Sequence, residues 1–292
     1  LVLQLTVDLG ATDPAPVEDR LTSLGAVSVT LMDAGDDPVL EPAPGETPLW
    51  STTRLTAHFA NDADREVILS SLASLLPPWA GPRFEVLEDR PWEREWLRDF
   101  GPMRFGRRLW VCPDGQPAGD PAAIRVALDP GLAFGTGTHA TTALCLEWLD
   151  ASELAGRRVI DYGCGSGILA IAALKLGAAE ALAFDTDPQA LIATRENAER
   201  NGVAQRLTIA VTAPRAPDCC DVLVANILAG PLLDLASGFA TIVQPGGLIA
   251  LSGILADQAQ QVAMAYGPWF TIGATTARDG WALLSGSRGH IS

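Results

Sequence analysis

The sequence predicts an α/β protein in two unequal parts, a doubly wound and mainly parallel sheet preceded by a smaller α+β unit. Three observations carry this. Beyond residue 157 short apolar runs alternate with helical stretches, the order that crossover connections between parallel strands require. Before residue 90 the order is strand, helix, strand, strand, helix, strand. The 292 residues are 48% hydrophobic, enough for sizeable buried cores.

Residues 1–8 alternate as a strand, 15–24 form a helix and 26–32 a second strand. A loop of Pro, Gly and acidic residues at 34–48 leads to a strand at 52–59. A helix follows over 62–76, with Asp62 placed to cap it and Pro77-Pro78 to stop it, and a strand at 83–88 closes the set. This βαββαβ order is ferredoxin-like. The segment RPWEREWLRDF at 90–100 is helical in propensity, and Trp92, Trp96 and Phe100 share one face at i, i+4 and i+8, as suits a connecting helix. The expected organisation is therefore a domain at 1–89, a helical linker at 90–105 and a second domain at 106–292.

In the second domain, strands at 108–112 and 123–128 flank the turn-rich run PDGQPAGDP. From 157 the order is RRVIDYG as strand, ILAIAALKLG as helix, EALAFDTD as strand and PQALIATRENAERNG as helix. Strands at 207–211 and 221–225, a helix at 229–241, a strand at 247–252 and a helix at 255–265 continue it. Closing strands fall at 269–275 and 280–286, the last an antiparallel hairpin partner.

Charge and composition exclude several functions. With 35 acidic against 20 basic residues the net charge is -15, which opposes a broad electrostatic grip on nucleic acid. Residues 1–120 hold 20 of the acids and 10 of the bases, so a basic partner suits this region. The cysteines at 112, 145, 164, 219 and 220 form no CxxC pair and the histidines at 58, 139 and 290 stand far apart, so no zinc site of ordinary spacing is expected. Reduced thiols, an opening LVLQLTVDLGATD unlike a signal peptide, and no run of 18 apolar residues predict a soluble cytoplasmic protein without a membrane segment.

Asp161-Tyr162-Gly163-Cys164-Gly165-Ser166-Gly167 stands where the first central strand turns into a helix, the place where such sheets bind ligands. Gly163, Gly165 and Gly167 permit a tight bend and close backbone approach. A nicotinamide fingerprint would put its third glycine at 168, where Ile168 stands, so that reading weakens. Asp161 beside the crevice suits a cationic or amine-bearing ligand better than a pyrophosphate. Asp185, 22 residues beyond Gly163, is placed to accept both ribose hydroxyls of a nucleoside. Asp187 and Pro188 read as the cap and first turn of the next helix.

The runs DYGCGSGILAIAALKLGA and AFDTDP resemble the nucleotide-binding motifs of class I S-adenosylmethionine-dependent methyltransferases. With DPGLAFGTGTHATT at 129–142, NILAGPL at 226–232 and LSGIL at 251–255, the chain more closely resembles the bacterial family that methylates the eleventh protein of the large ribosomal subunit. That resemblance covers about residues 95–292 well. It implies a Rossmann-like class I catalytic sheet behind a ferredoxin-like substrate-recognition domain, with S-adenosylmethionine as cofactor. It further implies a monomer that trimethylates lysine side chains and an amino-terminal amine of a basic ribosomal protein, free or in assembling particles. A class I methyltransferase acting on a small molecule or nucleic acid is the alternative.

Carried onto this sequence, the resemblance makes Phe134, Gly135, Thr136 and Gly137 cofactor contacts, joined by Thr138, Asp161, Gly163, Cys164, Gly165, Gly167 and Asp185. Asn226 follows the strand ADVLVAN in the position of the Asn/Asp-Pro-Pro motif, where its oxygen can accept from the target amine. It is therefore expected to be both catalytic and a cofactor neighbour. Without the resemblance, Thr138 is a helix cap and His139 a first-turn residue or proton acceptor. No acid follows the third central strand in AVTAPRAPDCC before Asp218, so adenine is expected to meet backbone near Val211 to Ala213. Cys219, Cys220 and Trp281 read as packing residues, with Trp269, Phe270 and Trp281 alternatively bracing the site from below.

Overall fold

The computed structural model describes residues 1–35, 50–87, 101–113, 115–128, 139–216 and 219–289. The chain divides into two compact units, Leu1–Arg94 and Glu95–Ser292.

The first unit holds β1 (Val2–Gly10), α1 (Ala15–Ser23), β2 (Ser28–Asp33), β3 (Thr53–Ala60), α2 (Arg65–Leu72) and β4 (Arg83–Leu87). Its strands lie in the order β2-β3-β1-β4, every pair antiparallel, which is the ferredoxin-like arrangement. Alternation along β1 sends Leu3, Leu5, Val7 and Leu9 into a core with Val17 and Leu21 of α1 and Ile68 and Leu72 of α2. Burying one such side chain contributes roughly 1.5–3 kcal/mol, so this row holds the helices on the sheet. The α2 cap is Asp64 and not Asp62: its carboxylate accepts from the N–H groups of Glu66 and Val67. Asp62 instead lies in the turn after β3, two residues too early to reach the first helical N–H groups.

The second unit begins, among its described residues, with a small sheet of β5 (Met103–Phe105), β6 (Leu109–Pro113) and β7 (Ile124–Leu128). The last residues of the expected helical linker are thus strand; Met103 and Phe105 pair with Val111 and Leu109 across a tight turn. The rest of that linker, with Trp92, Trp96 and Phe100, lies outside the described residues. Asp150 of α3 (Ala140–Ala151) fastens the β5–β6 turn by accepting from the backbone N–H of Arg107 at 2.6 Å and from the Arg108 side chain at 3.3 Å.

The large sheet runs β10-β9-β8-β11-β12-β15-β13, with β14 paired to β15. Its strands are β8 (Arg158–Tyr162), β9 (Glu180–Phe184), β10 (Leu207–Ala210), β11 (Cys220–Asn226), β12 (Val243–Leu255), β13 (Phe270–Ile272), β14 (Thr276–Arg278) and β15 (Trp281–Arg288). The helices after them are α4 (Ile168–Lys175), α5 (Pro188–Arg200), α6 (Ala229–Ile242) and α7 (Ala259–Tyr266). Five neighbouring strands, β10 to β12, are parallel, and β15 returns antiparallel beside β12 as its hairpin character predicts. Two apolar cores cover the two faces, one built around α3 and α4 and the other around α6 and α7. The strand order reverses between β8 and β11, and the crevice outside their carboxyl ends is where such a sheet receives a ligand.

Candidate active site

At the end of β8 the backbone is the working surface. Gly163, Gly165 and Gly167 have φ of +81°, +52° and +77°, a region costly for other residues. A Cβ at Gly163 would collide with the side chain of Ile227, and one at Gly167 would meet Thr194 at 2.8 Å. The turn is anchored by β9: the N–H groups of Gly163 and Cys164 both donate to the Phe184 carbonyl, at 2.8 and 3.0 Å. Asp185 extends this anchor, Oδ2 accepting from Gly165 N–H at 2.9 Å and Oδ1 from Asp187 N–H at 3.0 Å. Each carboxylate oxygen still has a second lone pair to offer.

Helix α5 holds the same turn from behind. Thr194 donates its hydroxyl hydrogen to Gly165 O at 2.9 Å, and the Asn197 amide donates to Ser166 O at 3.0 Å. Both side chains are buried. Asp187 caps this helix through Gln189 N–H with Pro188 in its first turn, as the sequence predicts. Polar residues on the inner face of α5 would signal such a role, but nothing in their spacing says what they grip.

Asp161 lies beneath the turn and is fully buried. Its Oδ2 accepts from Ala170 N–H at 2.9 Å, supplying the start of α4 with the acceptor that the capping residue, Gly167, lacks. Its Oδ1 has no hydrogen-bond partner among the described residues. Burial pushes the carboxyl pKa up to about 7, with Asp185 adding to the rise and the Ala170 bond opposing it. Burial likewise pushes the neighbouring Cys164 thiol up to about 12, so it stays protonated.

The end of β11 is built differently. Asn226 donates from Nδ2 to the Thr142 hydroxyl at 3.2 Å. The chain then turns as Ile227-Leu228 into α6, with Ile227 N–H bonded to Ser252 O at 3.1 Å. Gly253, at φ +80°, lets β12 pass against this turn; a Cβ there would collide with the Ile227 carbonyl. These two strand ends enclose a mainly apolar cavity of about 490 Å³, within the usual range for a small-molecule site. Gly163, Cys164 and Gly165 form one wall, Asn226, Ile227 and Leu228 another, and His139, Thr141 and Thr142 of the α3 start a third.

Trp281 and Gly253 complete the wall. Of the two places the sequence offers Trp281, core or brace of the site, the structure takes the second: Asp279 and Gly280, at φ +50° and +78°, make a two-residue hairpin turn that delivers it to the cavity. There it meets His139 edge-on at 4.9 Å between ring centres. Arg278 locks this hairpin to α3 by a bidentate ion pair, its two terminal nitrogens donating to the two carboxylate oxygens of Glu147 at 3.1 and 2.9 Å. His139 itself is the α3 cap, a place the sequence assigns to Thr138: Nδ1 accepts from Thr141 N–H at 3.4 Å and lies 2.7 Å from its hydroxyl. The tautomer in which Nδ1 accepts from Thr141 N–H carries its hydrogen on Nε2.

Of the residues expected at the cofactor, Gly163, Cys164, Gly165 and Asn226 line the cavity, while Asp161, Gly167 and Asp185 stand around it as supports. Phe134, Gly135, Thr136, Gly137 and Thr138 lie outside the described residues. Thr142, Thr194, Asn197 and Gly253 are supports that the sequence reading does not single out. Val211 is exposed just past β10, and Cys220 packs inside β11. Among the described residues no group of three or more His, Cys, Asp or Glu could hold a metal ion, and no helix is long and apolar enough to cross a membrane.

The features fit an adenosyl ligand: glycine backbone without Cβ atoms beside an apolar chamber. Comparison with known proteins agrees. Residues 2–289 match the family described as ribosomal protein L11 methyltransferase (PrmA). A ribosomal protein L11 methyltransferase of Azotobacter vinelandii is 54% identical over 291 residues, covering 98% of this chain and 99% of its own. One from Nitrosococcus oceani is 51% identical over 288 residues, covering 98% and 99%. The crystal structure of a ribosomal protein L11 methylase from Lactobacillus delbrueckii subsp. bulgaricus superposes with a TM-score of 0.58 at 34% identity, over 65% of this chain and 100% of that one. The chain belongs to the ribosomal protein L11 methyltransferase family, whose class I sheet and glycine turn it carries.

Proposed function

We propose that this chain transfers methyl groups from S-adenosylmethionine to the eleventh protein of the large ribosomal subunit, at lysine side chains and the amino-terminal amine, through to trimethylation. The observation that carries the reading is the meeting of the β8 glycine turn and the Asn226 amide on one apolar cavity. S-adenosylmethionine supplies an electrophilic methyl group on a sulfonium. Gly163 and Gly165 give it room, Asp185 offers its remaining lone pairs to the ribose, and Phe134 to Thr138 are proposed cofactor contacts.

Asn226 Oδ1 accepts a hydrogen from the target amine and so aims the nitrogen lone pair; positioning of this kind is the main source of rate in a direct displacement. A lysine ammonium, with an ordinary pKa of about 10.4, must first lose a proton. The apolar walls favour the neutral amine, which loses its proton before the displacement. Ile227 and Leu228 stand where related amine methyltransferases have prolines, and Leu228 is half exposed, a more open floor that suits repeated methylation. The acidic residues 1–120 suit a basic ribosomal protein, free or in assembling particles. We place the enzyme in the cytoplasm as a monomer with no direct hold on nucleic acid.

The test is incubation with radiolabelled S-adenosylmethionine and ribosomes, or free ribosomal proteins, from a strain lacking this modification. Label in the eleventh large-subunit protein is expected; label only in RNA or in a small molecule overturns the substrate. Asn226→Ala is expected to lower kcat about 100-fold, near 2.7 kcal/mol, with cofactor affinity nearly unchanged.

A further inference from the structure

Helix α5 buries Ala190, Leu191 and Ala198, and beside them the polar Thr194 and Asn197. Asparagine is a weak helix former, and an amide taken out of water is costly unless its two ends are hydrogen-bonded. Asn197, 3% exposed, has both bonds: Nδ2 donates to the Ser166 carbonyl at 3.0 Å, and Oδ1 accepts from Nη1 of the partly buried Arg200 at 2.7 Å. A carbonyl only accepts and a guanidinium only donates, so these two partners allow the amide one orientation. Turned over, it would set oxygen against oxygen at Ser166 and NH2 against guanidinium at Arg200. Arg200 reaches Asn197 from one turn further along the helix, the spacing at which helical side chains meet. The next residue, Asn201, donates to the Asn197 carbonyl at 2.8 Å and exchanges two bonds with Ala127 of β7, at 2.8 and 2.6 Å, so this end of α5 is tied to a second strand. The peptide that Asn197 grips is held at its other side too, where Gly167 N–H donates to the Cys164 carbonyl at 2.7 Å. A peptide unit is planar, so a hold on Ser166 O and Gly167 N–H together sets the plane between the last two residues of the glycine turn.

We infer that Arg200 is a positioning residue for S-adenosylmethionine binding, holding the Asn197 amide in the orientation that grips Ser166 O and keeps the glycine turn in its ligand-receiving shape. This rests on the glycine turn being the seat of the cofactor. Neither Arg200 nor Asn197 is among the residues that line the cavity; both act through the backbone of the turn. Without the guanidinium the amide oxygen is left buried without this donor, and the grip on Ser166 O competes with other orientations of the amide. The competent form of the turn is then less populated, and the apparent affinity for the cofactor falls by that fraction. At saturating cofactor the same complex forms, so the rate of transfer within it is unaltered.

The test is calorimetric titration of the full-length enzyme with S-adenosylmethionine, with kcat at saturating cofactor and thermal melting measured beside it. Arg200→Met, which keeps the stem and loses the donor, is expected to weaken cofactor affinity about fivefold, with full stoichiometry and kcat within about twofold of the parent. Arg200→Lys keeps a donor and is expected to recover affinity to within about twofold. Asn197→Asp keeps the shape and the Arg200 partner but cannot donate to Ser166 O, and is expected to weaken affinity about tenfold. In an Asn197→Ala background Arg200→Met is expected to add no further loss, because the group it orients is gone. Parent affinity in Arg200→Met beside a weakened Asn197→Ala overturns the inference. An Arg200→Met loss that persists in the Asn197→Ala background also overturns it, since Arg200 would then act as a charge at the end of α5 and not through the amide. Parent affinity in Asn197→Ala and Asn197→Asp beside a weakened Asp185→Ala overturns the inference and leaves the turn as the cofactor's seat. Parent affinity in all of these, Asp185→Ala included, removes that seat and the inference with it. A loss matched by falling stoichiometry reports unfolded protein and gives Arg200 a structural role only. Should Arg200→Met melt below the assay temperature, Arg200→Gln in the Asn197→Ala and parent backgrounds is read by the same criteria.

Discussion

The ends of β8 and β11 are neighbours on one sheet edge, paired as far as Tyr162 and Ala225, yet they are made by opposite means. At β8 the ligand-facing surface is backbone, and the side chains that matter hold it from below or behind: Asp161, Asp185, Thr194 and Asn197. At β11 the facing group is a side chain, and the glycine that makes room for the Ile227 backbone just after it is on another strand, Gly253 of β12. A backbone surface needs glycines at fixed spacing in one segment, whereas a side-chain surface needs partners gathered from several.

The largest way to break the β11 end is Gly253→Ala. The Cβ meets a backbone carbonyl that cannot rotate away, at a φ that L-residues resist, so a loss of about 3–5 kcal/mol in urea unfolding is expected together with lost methyl transfer. Parent-like stability would show that Ile227 is free to move and that the close approach is unimportant.

Asp161→Asn probes the β8 end through pH. The native carboxyl keeps its proton up to about pH 7, while an unfolded one loses it near pH 4. Between these values the folded state binds more protons, so this group's contribution to stability falls as pH rises through that window. Asparagine cannot ionise. The stability of the variant relative to the parent should therefore improve by roughly 2–3 kcal/mol between pH 5 and pH 8. A difference that stays constant across these two pH values would mean Asp161 titrates normally.

Asp185→Ala is expected to weaken S-adenosylmethionine binding about tenfold, near 1.4 kcal/mol by calorimetry, since it removes the ribose acceptor and the Gly165 anchor together. Unchanged affinity would separate the β9 acid from ligand binding. Thr194→Val sharpens the comparison with the smallest effect. Loss of the bond to Gly165 O should cost about 1 kcal/mol of stability and a few-fold in cofactor affinity, leaving kcat at saturation as it was. A kcat effect there would mean the glycine turn shapes the reacting geometry and not only the binding.

How far the site is legible follows the same division. Gly163, Gly165, Gly167 and Asp187-Pro188 were readable because turns and caps are local events with fixed spacing. The alternation of strands and helices predicted the doubly wound sheet, and the βαββαβ order of residues 1–88 predicted the antiparallel sheet found there. The local expectations that failed were boundary matters: Asp64 in place of Asp62, His139 in place of Thr138, and strand in place of helix at Met103–Phe105. Each was settled by where neighbouring backbone N–H groups or a partner strand lay. For Trp281 the sequence leaves two places open, core or a brace of the site, because an apolar run looks alike whether it faces a core or a cavity; the structure puts it on the cavity, past the turn at Asp279-Gly280.

The sequence by itself determined the class of sheet, the position of the ligand turn in the first crossover and the acidic character of the chain, because periodicity, glycine spacing and charge are properties of contiguous residues. Tertiary structure alone decided which groups stand behind those residues. Thr142 lies 84 residues before Asn226 and Asn197 lies 31 after Ser166. Such pairs meet only once parallel crossovers have brought distant segments to the same sheet edge, and nothing local requires one member of the pair to announce the other.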